Sequence, residues 1–188
     1  SGSPDVRRAM DRFQLEQERL KAGIDRALDL LKRIVEEQQL DELARVADEL
    51  ATGQEGVTQR IERRETDRVA DAQAEISAGL DSLQRRMREL AESLSDSALS
   101  DSLEGLLSDM VRDDLSGAAG ELSEQLRGGR PGEGAQKSKS LASGIRNAAD
   151  RLQSLSQQLK QKRSADMAGR LAGLARDVLM LSGQQEDL

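Results

Sequence analysis

The chain has no histidine, cysteine, tryptophan or tyrosine, and Phe13 is its single aromatic residue. Without cysteine there is no disulfide and no thiolate nucleophile. Without histidine and cysteine, most catalytic constellations and transition-metal sites lack their usual bases and ligands. Adjacent carboxylates such as Asp113 and Asp114 point about 100° apart on a helix, so they do not easily share a cation. We therefore expect no enzymatic activity, no catalytic or metal-binding residue and no cofactor.

Long apolar runs are absent as well. The longest is the four-residue run 178–181, whereas a membrane-spanning helix needs about 20 apolar residues. The sequence therefore predicts no membrane insertion by the residues present. Residues 1–3, Ser-Gly-Ser, are typical of an expression remnant.

The residues that are abundant favour helices. Charged residues make up 34% of the 188-residue chain and hydrophobic residues 36%, with many leucines, alanines, arginines and glutamates. This composition is typical of coiled coils and long helices. We expect an all-α fold, an elongated and mostly antiparallel bundle of five to seven helices with coiled-coil-like packing, formed by residues 4–188 as a single domain.

Apolar residues at alternating spacings of three and four place the predicted helices. A first helix is expected at 5–38, with its apolar stripe running from Met10 to Ile34. The register then slips, and either a kink near Gln39 or a new helix at 41–52 fits the pattern. The remaining helices are expected at 54–95, 98–112, 114–127, 135–162 and 164–182. Gly169 and Gly173 on the last helix predict a close helix–helix crossing.

The stretch "GRPGEGAQKS" (129–138) superficially resembles a phosphate-binding loop. In such a loop the lysine follows the second glycine directly, and the loop hangs between a buried strand and a helix. Here Ala135 and Gln136 separate Gly134 from Lys137, and an amphipathic helical pattern precedes the stretch. We interpret residues 128–136 as a flexible connection between helices and not as a nucleotide site.

Charge is unevenly distributed. Residues 71–130 carry a net charge of −7, and residues 131–188 carry a net charge of +3. The interpretation that we favour is that the acidic middle and the basic end attract each other within one fold. The alternative is a nucleic-acid or anionic-surface binder that uses the basic region 137–163. We do not expect nucleic acid as a partner, because the chain is acidic overall and has one aromatic residue for base stacking.

Partner binding is expected where an apolar stripe stays uncovered. A continuous helix over 54–95 would extend roughly 60 Å, too long for the shorter helices after it to cover. The residues expected to remain exposed, and to bind a protein partner or a second copy in a weak antiparallel homodimer, are Ile61, Val69, Leu40, Leu43 and Leu50.

Four segments carry a family resemblance: "LEQERLKAGIDRALDLLKRIVEEQQLDELARVADELATGQEGVTQRI", "DDLSGAAGELSEQLRGG", "AADRLQSLSQQLKQ" and "RDVLMLSGQQEDL". Together they resemble the soluble Gln/Glu/Leu-rich helical region of large bacterial membrane-anchored proteins of unassigned function. The resemblance implies a cell-envelope location, on either side of the membrane, for a parent protein whose membrane helices lie elsewhere. The expected function is that of a non-catalytic protein-interaction or scaffold module of a bacterial envelope protein.

Overall fold

The computed structural model describes residues 4–65, 68–129 and 131–186, so the Ser-Gly-Ser stretch at 1–3 lies outside the described residues. These residues form α1 (Pro4–Glu62), α2 (Val69–Ser93), α3 (Ser97–Arg112), α4 (Leu115–Arg127) and α5 (Pro131–Glu186). No strand occurs in any of the three described ranges. The predicted all-α class is confirmed.

The chain divides into two units, Ser1–Gln38 and Gln39–Leu188. The described part of the first unit is helical throughout and belongs to α1. The second unit holds the hydrophobic core. Within it, α2 packs against α3 and α4, and α5 packs against the same two helices.

The sequence left open a kink near Gln39 or a new helix at 41–52, and the structure shows neither a new helix there nor the predicted helix end at Gly53. The helix continues through residues 39–41 and through Gly53, where the sequence favoured a helix end. Ala51 and Gln54 are fully buried on either side of Gly53, and a Cβ built on Gly53 would lie 3.7 Å from Cδ1 of Ile76. Packing therefore holds this turn helical despite the low helix propensity of glycine.

The helix ends instead at Glu62, and the next one begins at Val69. Both positions lie within the segment 54–95 that was predicted as one long helix. Arg64 and Arg68 both adopt left-handed backbone conformations, with φ of 57° and 59°. Such conformations are uncommon for residues other than glycine, and arginine gives no sequence signal of a turn. The predicted helix is therefore wrong, because α2 begins anew at Val69.

The predicted loop at 128–136 is also largely helical. α5 begins at Pro131. Proline suits the first turn of a helix, because the N–H that it lacks would have no intrahelical partner at that position. Gly134 lies close to α4, since an added Cβ would come within 2.9 Å of Cδ1 of Leu122. The helix then continues without the predicted break at residue 163. Among the described residues, no atom lies within 4 Å of a Cβ added at Gly169 or Gly173, so they do not form the close crossing predicted there.

The core of the second unit is built from the predicted stripes. The apolar residues of α2 are buried, at Ile76, Leu80, Leu83, Met87 and Leu90. Those of the first half of α5 are buried too, at Leu141, Ile145, Ala148, Leu152, Leu155 and Leu159. The three-four spacing therefore identified the packing faces correctly for these two helices.

A polar cluster lies inside this core. Gln54, Gln73 and Ser138 are fully buried, and Thr58 is 9% exposed. Nε2 of Gln54 donates to Oγ of Ser138 over 3.0 Å, and the hydroxyls of Thr58 and Ser138 lie 2.7 Å apart. Buried polar side chains require such partners, so the cluster fixes the relative register of α1, α2 and α5 within this unit.

Candidate functional site: an exposed apolar stripe on the first helix

The residues that the sequence predicted as a partner-binding surface are core residues. Leu40, Leu43, Ile61 and Val69 are each at most 5% exposed, and Leu50 is partly buried against the same cluster. The expectation that they lie uncovered is wrong, because α1 ends at Glu62 and α2, which begins at Val69, packs on this part of α1. An added Cβ on Gly79 of α2 would lie 2.5 Å from Cδ2 of Leu50, which shows how closely the two helices approach.

The exposed apolar surface lies at the beginning of α1. Ten large apolar side chains between residues 6 and 35 are 38% to 66% exposed, and nine of them lie toward one side of the helix. We call them the amino-terminal stripe: Val6, Met10, Phe13, Leu20, Ile24, Leu28, Leu30, Leu31 and Val35. Leu15 is also exposed but points away from them on the helix. Scattered exposed apolar residues are normal, whereas a contiguous row of this length is typical of interaction surfaces.

The amino-terminal stripe follows a heptad repeat, with positions written abcdefg. The a positions are Met10, Gln17, Ile24 and Leu31, and the d positions are Val6, Phe13, Leu20, Ala27 and Ile34. Apolar residues at a and d are the signature of a helix that packs against another helix in a coiled coil. From Val6 to Ile34 this pattern covers four heptads, roughly 40 Å of helix.

The residues at the e and g positions, which flank the a and d residues, change from charged to apolar along the helix. Near the middle, Glu16 occupies a g position and Lys21 an e position, and both are exposed. Further along, the e and g positions are apolar, at Leu28, Leu30 and Val35. The apolar face therefore widens toward the end of the first unit, while its middle carries one charge of each sign.

The basic region 137–163 of α5, the alternative site in the sequence, is paired with carboxylates. The ammonium of Lys139 lies 2.7 Å from a carboxylate oxygen of Glu62. The guanidinium of Arg151 lies 2.7 Å from a carboxylate oxygen of Asp109, and the ammonium of Lys162 lies 2.7 Å from one of Asp96. Four further pairs join Lys137 to Glu121, Arg146 to both Asp48 and Glu55, and Lys160 to Asp41. Asp96, Asp109 and Glu121 belong to the acidic middle and the other carboxylates to α1, so the basic end pairs with both segments.

These ion pairs shift the pKa values of two carboxylates and of Arg146. A hydrogen bond from Lys162 and one from the backbone N–H of Leu99 lower the pKa of Asp96, which also caps α3. For Asp41, partial burial raises the pKa, but hydrogen bonds from Lys160 and Ser156 outweigh it and the net shift is downward. Hydrogen bonds to Glu55 and Asp48 raise the pKa of Arg146 further above its ordinary value. Each shift favours the charged form that the ion pair needs.

A shallow groove lies between α1 and α2 in the second unit, lined in part by Gln39, Leu43, Arg86 and Glu89. Its two charged residues have opposite signs, so the groove offers no net charge to a ligand. In the three described ranges, no group of three or more acidic side chains is placed to hold a metal ion.

No protein-family model, curated protein or solved structure matches the chain significantly. Among the described helices, none combines the length and the apolar character that crossing a lipid bilayer would demand.

The sequence predicts the amino-terminal stripe as a helix-packing face, but the predicted exposed surface lay at other residues. Its spacing is the same as that of the buried stripe on α5. The signal that could have distinguished it is the flanking charge pair of Glu16 and Lys21 together with a polar a residue, Gln17, which are typical of the edges and the register-setting layer of a coiled coil.

Proposed function

We propose that this chain is a non-catalytic protein-interaction or scaffold module of a bacterial envelope protein, and that the amino-terminal stripe makes the contact. The observation that carries the proposal is the exposure of nine large apolar side chains on one helical segment. Covering them would remove on the order of 700 Å² of apolar surface from water. That area is close to the roughly 800 Å² that one partner buries in a stable interface.

The binding mode that we propose is coiled-coil-like packing against another helix. The a and d pattern supports it, because side chains at these positions insert between four residues of a facing helix. The ion pairs on α5 favour a protein partner over a nucleic acid, since they compensate the basic side chains that phosphates would otherwise attract.

The envelope location rests on the family resemblance. Fractionation of bacteria that express the parent protein tests it directly. We expect the parent in the membrane fraction, and recovery in the cytosolic fraction would contradict this part of the proposal.

Photo-crosslinking tests the interaction surface. A photoreactive amino acid replaces Ile24, on the stripe, or Asp29, which is exposed on the opposite side of the same helix. We expect covalent protein adducts from position 24 and few from position 29. The absence of adducts at position 24, or equal adducts at both positions, would overturn the proposed surface.

A further inference from the structure

We propose that the partner of the amino-terminal stripe is a second copy of this chain, bound as a parallel, in-register coiled-coil pair. This inference rests on the proposed function, because it identifies the partner of the same surface. Three features of the stripe support it: the polar layer at Gln17, the charge pair at Glu16 and Lys21, and the apolar flanks that follow them.

Gln17 sets the orientation. In a parallel in-register pair each a residue faces the same residue of the other helix, so Gln17 would face Gln17 of the second copy and the two amides would hydrogen-bond. In an antiparallel pair each a residue faces a d residue, and all five d residues from Val6 to Ile34 are apolar. That arrangement would bury the amide of Gln17 without a partner, which is costly. A shift by one heptad would place Gln17 against Met10 or Ile24 with the same penalty.

The fold already contains such an amide pair. Gln54 and Gln73 are both fully buried and hydrogen-bond to each other in the core of the second unit. A buried layer of two glutamines is therefore compatible with close packing of two helices of this protein. Polar residues at single a positions are known to specify the register and orientation of coiled coils.

The flanking charges select the same orientation. In a parallel pair, a g residue lies beside the e residue five positions later on the other helix. Glu16 would therefore meet Lys21 of the second copy, twice by symmetry. In an antiparallel pair, g residues meet g residues and e residues meet e residues, so Glu16 and Lys21 would not meet.

The e and g residues after Lys21 also fit a parallel, in-register pair. The g residue Leu30 would lie beside Val35 of the second copy, and Gly23 would lie beside Leu28. Apolar side chains thus meet apolar or small ones, and they widen the buried seam where the apolar face is broadest. Each copy would bury on the order of 700 Å², which places the pair within the range of stable two-chain interfaces.

Charge exchange tests the pairing. The full chain is prepared with Glu16→Lys and, separately, with Lys21→Glu, and association is measured by sedimentation at low salt. Each variant alone would place like charges across both flanks, so we expect its self-association to weaken about tenfold, since two attractive pairs become repulsive. An equimolar mixture restores opposite charges at both flanks, and we expect it to associate as tightly as the wild type. A mixture no tighter than the separate variants would overturn the g–e pairing.

Disulfide trapping tests the orientation, and the chain has no native cysteine to interfere. Met10→Cys, at an a position, and Ile34→Cys, at a d position, are made separately, and air oxidation is followed on non-reducing gels. We expect each variant to form a disulfide-linked dimer with itself. In an antiparallel pair the two copies of residue 10 would lie about 30 Å apart.

A disulfide that forms only when the two variants are mixed would therefore overturn the parallel arrangement. No disulfide in any sample would overturn the second copy as partner. The photo-crosslinks at position 24 distinguish this failure from failure of the proposed function, because adducts to a different protein would retain the interaction surface.

Discussion

Gln54 and Gln73 form two reciprocal hydrogen bonds through their side-chain amides in the core of the second unit. Nε2 of Gln54 donates to Oε1 of Gln73 over 3.0 Å, and Nε2 of Gln73 donates to Oε1 of Gln54 over 2.8 Å. The pair joins α1 to α2, and Ser138 extends it to α5. Sliding any of these helices by one turn would separate the amides, so the pair favours a single packing register.

Replacement of Gln73 should expose the cost of leaving the buried amide oxygen of Gln54 without a donor. In Gln73→Leu the amide of Gln54 loses its reciprocal partner, and we expect the free energy of unfolding to fall by about 1–3 kcal/mol. Gln153→Leu on the exposed side of α5 is the control, with an expected change within about 0.5 kcal/mol. Urea denaturation measures both, and equal stabilities for the two variants would contradict the structural role of the pair.

Two glycines in helix interiors should respond oppositely to alanine. A Cβ on Gly144 would lie 2.7 Å from Cδ2 of the buried Leu115, so Gly144→Ala should destabilise the fold by about 1–2 kcal/mol. Gly105 of α3 is exposed and has no atom within 4 Å of an added Cβ, so Gly105→Ala should stabilise it by about 0.5–1 kcal/mol. The urea midpoints of the two variants provide the comparison, and a higher midpoint for Gly144→Ala would refute the close α4–α5 approach.

Acid should weaken the fold through its paired carboxylates. The folded-state pKa of Asp96, Asp109 and Glu121 is lowered, in each case chiefly by a hydrogen bond from a basic side chain of α5. A lowered folded-state pKa means that the unfolded chain binds protons first as the pH falls. Stability should therefore be constant above the ordinary values of 3.8 for Asp and 4.5 for Glu, and should decrease as the pH falls below them.

Urea midpoints at about pH 7, 5 and 3 measure this dependence. Asp96→Asn keeps a cap acceptor but removes the charge that Lys162 stabilises, so its midpoint should decrease less steeply between pH 5 and 3. An increase in wild-type stability over that interval would contradict the assigned pairs.

The pairing of α5 also predicts weak binding to polyanions. The intact protein should not be retained on heparin at about 0.15 M salt, because surface charges are compensated and screened under these conditions. The double variant Asp48→Asn, Glu55→Gln removes both carboxylates that pair with Arg146 and should elute at higher salt than the wild type. Strong retention of the wild type would instead support the nucleic-acid or anionic-surface alternative.

The sequence predicted the helical class and several of the packing faces, because both depend on local periodicity. The stripe from Ile76 to Leu90 and the stripe from Leu141 to Leu159 are buried as their spacing indicates. Helix ends were predicted less well. Gly53 lies inside α1, whereas the chain turns near Arg64 and Arg68, residues that are not typical turn formers.

The candidate site could not be located from spacing, since coverage of a stripe is a property of the tertiary fold. Met10 to Ile34 and Leu141 to Leu159 share the same three-four pattern, yet most of the first set is exposed and the second is buried. The error at Ile61 and Val69 followed directly from the missed end of α1 at Glu62 and the missed start of α2 at Val69. Once α2 packs against α1 there, these residues belong to the core and the amino-terminal stripe remains exposed.

Hydrogen exchange at several protein concentrations tests most directly whether the amino-terminal stripe is the interaction surface. An uncovered helix opens readily, so backbone amides of residues 10–31 should exchange fast in dilute solution, and those of α2 should exchange slowly. As the concentration rises, our account predicts growing protection across residues 10–31 and unchanged protection in α2. Protection of residues 10–31 that is strong and independent of concentration would contradict it, because the stripe would then be covered within a single chain.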